Sequence, residues 1–131
     1  MSYNLKALKQ YQSVDISSAV NSASPHKLIG MLFDGALTAL ARAKGMMERQ
    51  DIQGRAEQIN KASEIIIGLK SSLDLEQGSE VASNLDSLYD YMLSRIMRAN
   101  MNNDVQPIDE VMSLINEVKS GWNEMPEEHR A

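Results

Sequence analysis

Apolar residues recur along this chain in steps of three and four, and the steps fall into four long segments. Leu28, Leu32, Gly35, Ala39, Ala43 and Met46 form one stripe. Ile52, Ala56, Ile59, Ala62, Ile66, Leu69 and Leu73 form a second. Val81, Leu85, Leu88, Met92, Ile96 and Ala99 make a third, and Ile108, Val111, Ile115, Val118, Trp122 and Met125 a fourth. This is the period of amphipathic helices that each bury one face. No segment shows the sustained alternation of a strand between Gly or Pro turns. The prolines agree with the division. Ser24-Pro25 is an N-cap followed by proline at the first helical position, Pro107 opens the last segment, and Pro126 begins a charged tail. The breaks RQD, EQGS and NMNNDVQ are short, which favours antiparallel neighbours. The pattern therefore predicts an all-α chain, an antiparallel four-helix bundle.

Before the bundle, Leu5, Leu8 and Tyr11 fall on one side of a short helix, and SVDISSAVNSA after it reads as extended. A helix of about eight residues is unstable alone and needs a surface to dock on. The expected organisation is a single domain of residues 1–131: a separate N-terminal element over 1–23, the bundle over 24–125, and a frayed tail over 126–131.

Composition removes whole classes of function. The net charge is −5 and the thirteen basic residues are scattered, so a nucleic-acid partner is not expected. There is no cysteine, hence no disulfide and no thiolate chemistry. The start MSYNLKALKQYQ lacks the apolar run of a secretory signal, and stretches such as IIIGL are too short to span a membrane. A cytoplasmic protein is the expectation.

Little in the sequence supports catalysis, a metal or a cofactor, and none of these is expected. Gly30 and Gly35 have the spacing of a phosphate loop, but Ala36-Leu37 follows where lysine and a hydroxyl are required, and no strand precedes them. Gly35, Ala39 and Ala43 read instead as a small-residue stripe for close helix packing, with a direct binding role as the alternative. Asp34, one position off the stripe, faces solvent or holds a neighbouring polar group. NMNNDVQPIDE lacks the glycine and terminal glutamate of a calcium loop. A phosphorelay bundle would need an exposed histidine in mid-helix, whereas His26 sits beside Pro25 at a helix start. Histidine phosphotransfer and simple self-association of a structural bundle are the alternatives to a binding role.

Two runs carry more apolar surface than one seam can use. Ile65-Ile66-Ile67-Gly68-Leu69 and Leu88-Tyr89-Asp90-Tyr91-Met92-Leu93 are apolar around most of the helix. Such coverage implies either a second packing partner or an exposed groove.

The combination ASPHKLIGMLFDGAL, NKASEIIIGLKSSLD and NLDSLYDYM, with AN shortly after, resembles the flagellar secretion chaperone FliS family from about Tyr11 to Trp122. Phe33 departs from the tyrosine of the family's Y-D-G-A sequence. The resemblance implies a helical bundle with an N-terminal cap that binds the disordered C-terminal segment of flagellin in the cytoplasm. It implies that the chaperone prevents premature polymerisation and delivers the client to the flagellar type III export machinery, without enzymatic activity. A homodimer of the empty chaperone is a further state to test. On this basis residues 1–23 are a mobile cap that includes Leu8, Tyr11, Val14 and Ile16, and Ile65, Gly68, Leu69, Tyr89 and Tyr91 supply client surface. Lys61 and Asn100 match family positions, and either bond client backbone or cap and brace the free bundle.

Overall fold

The computed structural model describes residues 24–76 and 79–125. Over these the chain forms four helices: α1 (Pro25–Glu48), α2 (Ile52–Ser71), α3 (Glu80–Asn102) and α4 (Gln106–Asn123). The sequence-predicted cap and tail lie outside the described residues.

Each helix starts where local chemistry can satisfy its free amides. The Ser24 hydroxyl accepts from the Lys27 amide at 3.2 Å, with Pro25 behind it in the first turn. The Asp51 carboxylate accepts from Gly54 N at 2.9 Å. Gly54 suits this cap because a Cβ there would lie 2.6 Å from Asp51 Oδ2 and 2.8 Å from Met46 Sδ. Ser79 caps α3 through the Val81 amide. At α4 the cap position, Val105, offers no side-chain bond, but Asp104 Oδ1 accepts from Gln106 N at 3.0 Å.

The turns are shorter than the sequence suggested at one place. α3 runs through Asn102, inside the polar run expected to break it. Asn103 then ends the helix in the left-handed region at φ 52°, a conformation that asparagine tolerates well. Arg55 fixes this end of the bundle by donating Nε to Asn100 Oδ1 at 3.1 Å and Nη1 to Asn103 Oδ1 at 2.7 Å.

The helices form a ring in which α1 packs on α2 and α4, and α3 packs on α2 and α4, with the α1–α2 contact the most extensive. Cross-links show that neighbours run antiparallel. Trp122 near the end of α4 meets His26 at the start of α1, while Lys44 near the end of α1 pairs with Asp109 at the start of α4. Arg55 and Asn100 join the start of α2 to the end of α3, and Lys70 reaches Asp86 at the opposite end.

The core draws on all four helices, including Leu32, Phe33, Leu40, Ile66, Leu69, Tyr89, Met92, Ile96, Ile108 and Ile115. Each fully buried large side chain contributes about 1.5–3 kcal/mol of transfer free energy. The predicted stripes shift at their edges. Ile52 and Val81 are exposed, and Leu88 is half-buried, whereas Phe33, Leu40, Met47 and Tyr89 are buried. A helix touched by two neighbours buries two adjoining stripes, so a single three-four ladder follows only part of its inner face. The same geometry accounts for most of the surplus apolar surface. Ile65, Ile66, Gly68 and Leu69 are all buried, leaving Ile67 outside, and Tyr89 and Met92 are buried while Tyr91 is exposed.

Candidate functional site: a groove along the first helix

The outer face of α1 is not covered evenly by its neighbours. Met31, Asp34, Gly35, Thr38, Ala39 and Arg42 on α1 form a hollow of about 400 Å³ with Lys61 and Ile65 on α2. A second hollow of about 430 Å³, lined by Thr38, Ala41, Arg42, Gly45, Met46 and Arg49, adjoins it and shares Thr38 and Arg42. Together they make a groove along most of α1.

Its floor follows from small residues. Gly35 has no side chain to raise against α2, and a Cβ built there would sit 3.3 Å from Ile65 Cδ1. Ile65 is buried and forms the far wall together with Lys61. The volume lies in the range of small-ligand pockets, and the polar side chains of Asp34, Thr38, Arg42 and Lys61 share its lining with Met31, Ala39 and Ile65. Among the described residues no group of three His, Cys, Asp or Glu side chains could hold a metal.

Asp34, at the rim, does hold a polar neighbour: it pairs with Lys119 of α4. Its carboxylate is thereby compensated from within the bundle, and Arg42 stays at the centre of the groove.

The other residues singled out in the sequence occupy different places. Gly68 and Leu69 are buried one turn beyond Ile65 on α2. Tyr89 is fully buried in α3, so its aromatic surface serves the core of this structure. Tyr91 is 45% exposed on α3, and its hydroxyl donates to Glu110 Oε2 at 2.9 Å. Glu110 also accepts from Arg95 Nε at 2.7 Å. The Tyr91–Glu110 bond raises the Tyr91 phenol above its ordinary pKa, and it lowers Glu110 with further help from the Arg95 guanidinium. Asn100 is engaged by Arg55, and Leu8, Tyr11, Val14 and Ile16 lie outside the described residues. Lys61 and Ile65 are thus brought to the groove, while Tyr91 and Asn100 stand elsewhere on the surface.

His26, weighed above as a phosphorelay candidate, lies at the second position of α1 and is half-buried. Its ring stacks on Trp122 with centroids 4.5 Å apart and planes 11° from parallel. Trp122 Nε1 donates to the His26 carbonyl at 2.8 Å, so the pair fastens α1 to α4.

Sequence reasoning did not single out Met31, Thr38, Arg42 or Arg49 for this groove. The available signal was a second three-four ladder on α1, beside the core stripe, in which small and polar residues replace large apolar ones.

Comparison with known proteins points in one direction. The family description "Flagellar protein FliS" matches residues 7–129. The flagellar secretion chaperone FliSB of Pseudomonas aeruginosa is 50% identical over 121 residues, covering 92% of this chain and 96% of that one. The flagellar secretion chaperone FliS of Salmonella typhimurium is 47% identical over 124 residues, covering 94% and 92%. A relative of the same name in Bacillus subtilis is 29% identical over 113 residues. A crystal structure of a bacterial flagellar chaperone has the same fold, with a TM-score of 0.71 at 17% identity over 91% of this chain. Among the described residues no helix is long and apolar enough to cross a membrane.

Proposed function

The chain belongs to the flagellar protein FliS family, whose members are chaperones and not enzymes, and from that premise we propose that it binds the disordered C-terminal segment of flagellin in the bacterial cytoplasm, prevents premature polymerisation and delivers it to the flagellar export machinery. The observation that carries the client-binding step is the open groove along α1. The four helices already bury a continuous core, yet α1 retains a second, partly apolar face with Gly35 at its floor and Ile65 in its wall. A helix face left open beside a complete core is suited to an amphipathic segment, which would itself be unable to hide its apolar side in water.

Ordering a disordered segment loses several kcal/mol, so one hollow is too little for firm holding. A long segment that leaves the groove and wraps onto α3 would add contacts, and the exposed Ile67 and Tyr91 offer apolar surface for them. Leu8, Tyr11, Val14 and Ile16 would cover apolar surface in the empty chaperone and yield to the client. Lys61 would present its ammonium to client carbonyls, and Asn100 would need to exchange its Arg55 partner to do the same.

Titration of a flagellin C-terminal segment into the full chain, followed by calorimetry, tests this reading. Binding at micromolar concentration or tighter is expected, with Gly35→Leu weakening it roughly tenfold or more by filling the groove. Tyr91→Ala is expected to weaken it as well. Failure of the unmodified chain to bind at micromolar concentration would overturn the reading.

A further inference from the structure

The outer face of α1 has a regular register. Met31, Gly35, Thr38, Arg42, Gly45 and Arg49 follow one another in steps of four, three, four, three and four, and all six line the two joined hollows. This is the spacing along which one helix receives another in a seam. From first to last it spans about 27 Å, or five helical turns. Room for a second helix axis comes from the small members: a Cβ at Gly45 would meet nothing nearer than Arg49 Nη1 at 3.5 Å.

The charge of the groove runs against that of the protein. The chain has net charge −5, but the second hollow contains Arg42 and Arg49 and no carboxylate. In the first, the one acidic residue, Asp34, is already paired with Lys119. Arg42 lines both hollows and makes no hydrogen bond or ion pair among the described residues. An unengaged guanidinium on a partly apolar helix face has the geometry to accept a carboxylate from an occupant.

We infer that the groove receives an amphipathic helix of the client and that Arg42 recognises a carboxylate on it. The inference rests on the chaperone reading and adds the chemistry of the recognised segment. Gly35 and Arg42 are seven residues apart, two turns or about 10.5 Å along α1. A client helix lying along the seam therefore places its carboxylate seven positions from the apolar residue that enters the notch over Gly35. A partner that is basic along this face would meet Arg42 and Arg49 with like charge.

The test is a double-mutant cycle with the full chain and a flagellin C-terminal segment whose Asp and Glu residues are changed one at a time to Asn and Gln. For the unmodified chain, one of these changes should weaken binding about tenfold at low salt, within the range measured for interfacial charge pairs. Against Arg42→Gln the same change should have no effect, and Arg42→Lys should restore part of the loss. The difference should shrink as salt is raised. Mixing chain and segment should also increase helical ellipticity beyond the sum of the two. Arg42 is exposed, so Arg42→Gln should melt with the unmodified chain, which separates recognition from folding. Unchanged affinity of Arg42→Gln for a segment that the chain does bind would overturn the inference and leave the chaperone reading intact. Equal losses from each carboxylate would overturn the pairing, and absence of helical gain would overturn the helical mode. Absence of binding by the unmodified chain would overturn both readings together.

Discussion

Between α1 and α2 the chain sets Gly35 and Ala39 beside Ile65, and the walls part into a groove. On α3 and α4 the buried positions are mostly large, with Tyr89, Met92, Ile96, Ile108, Val111 and Ile115 filling the interior. At the rim of that second pair, Tyr91 and Arg95 both reach across from α3 to Glu110 on α4. The contrast separates two tasks. Small residues let helices approach but leave their outer flank shallow, where an added helix can lie. Large residues fill the space between helices, and a polar clasp closes the rim. Both pairs bury large side chains, Phe33 and Ile66 as well as Tyr89 and Ile108, so substitutions in the filled interior, including that of α3–α4, should act on stability, and substitutions on the open α1–α2 flank should act on binding.

The sharpest test of that division is Tyr89→Ala. The ring is fully buried, so its removal opens a cavity in the close-packed interior. A loss of about 3–5 kcal/mol is expected in denaturant unfolding. A loss below about 1 kcal/mol would mean that the α3–α4 interior collapses easily and does not carry the stability assigned to it.

Next in size is the fastening between the two pairs of helices. Trp122→Phe removes the indole bond to the His26 carbonyl and part of the stacked surface. The expected cost is about 1–2 kcal/mol in thermal unfolding. His26→Gln should lose the stack but retain the backbone acceptor, and so cost less than Trp122→Phe.

Gly35→Ala should divide stability from binding. Alanine favours the helix by about 1 kcal/mol over glycine. Against this, the new methyl would sit 3.3 Å from Ile65 Cδ1, the end of a side chain that can shift slightly. Net stability should stay level or rise by up to about 1 kcal/mol, while affinity for the flagellin segment falls. A clear loss of stability would show that Gly35 serves close packing, as the sequence stripe suggests, more than it serves the groove.

That choice marks the limit of what periodicity discloses. Four helices were legible because Leu28 through Leu32, Ile59 through Leu69, Leu85 through Ile96 and Ile108 through Ile115 repeat at the step of a buried face, and because Ser24, Pro25 and Pro107 mark helix starts. Phe33, Leu40 and Tyr89 fell off the three-four ladders because their helices touch two neighbours and bury wider faces. Lys61 and Ile65 were singled out through family resemblance, and the structure places both at the groove. Arg42 and Thr38 drew no attention, since nothing local distinguishes an exposed arginine on a groove from one on open surface. A groove is a relation between two helices, and it emerges only once their relative register is set. Tyr89 and Tyr91 illustrate the same point: two tyrosines two positions apart, one fully buried and the other bonded to Glu110 at the surface.

The smallest expected effect concerns that clasp. The Tyr91 hydroxyl, and after it Arg95, hold the Glu110 carboxyl below its ordinary value of 4.5. A carboxyl with a lowered pKa in the folded state contributes stability above its unfolded pKa, and the contribution disappears as pH falls through the folded value. Tyr91 behaves in the opposite sense. Its phenol is raised from 10.0, so its contribution is present below that value and is lost as pH rises through the folded one. Tyr91 is exposed and Arg95 and Glu110 are partly exposed, which keeps the effect small and sensitive to salt. The measurement is the difference in unfolding stability between the unmodified chain and Glu110→Gln, taken from neutral pH down to about 3. Other carboxylates cancel in that difference if Glu110 is independent of them. The unmodified chain should be slightly more stable at neutral pH, and the gap should close once Glu110 is protonated in both folded and unfolded states. A gap that stays constant across this range would show that the α3–α4 rim is held by shape and neutral hydrogen bonds, with no contribution from the Glu110 charge.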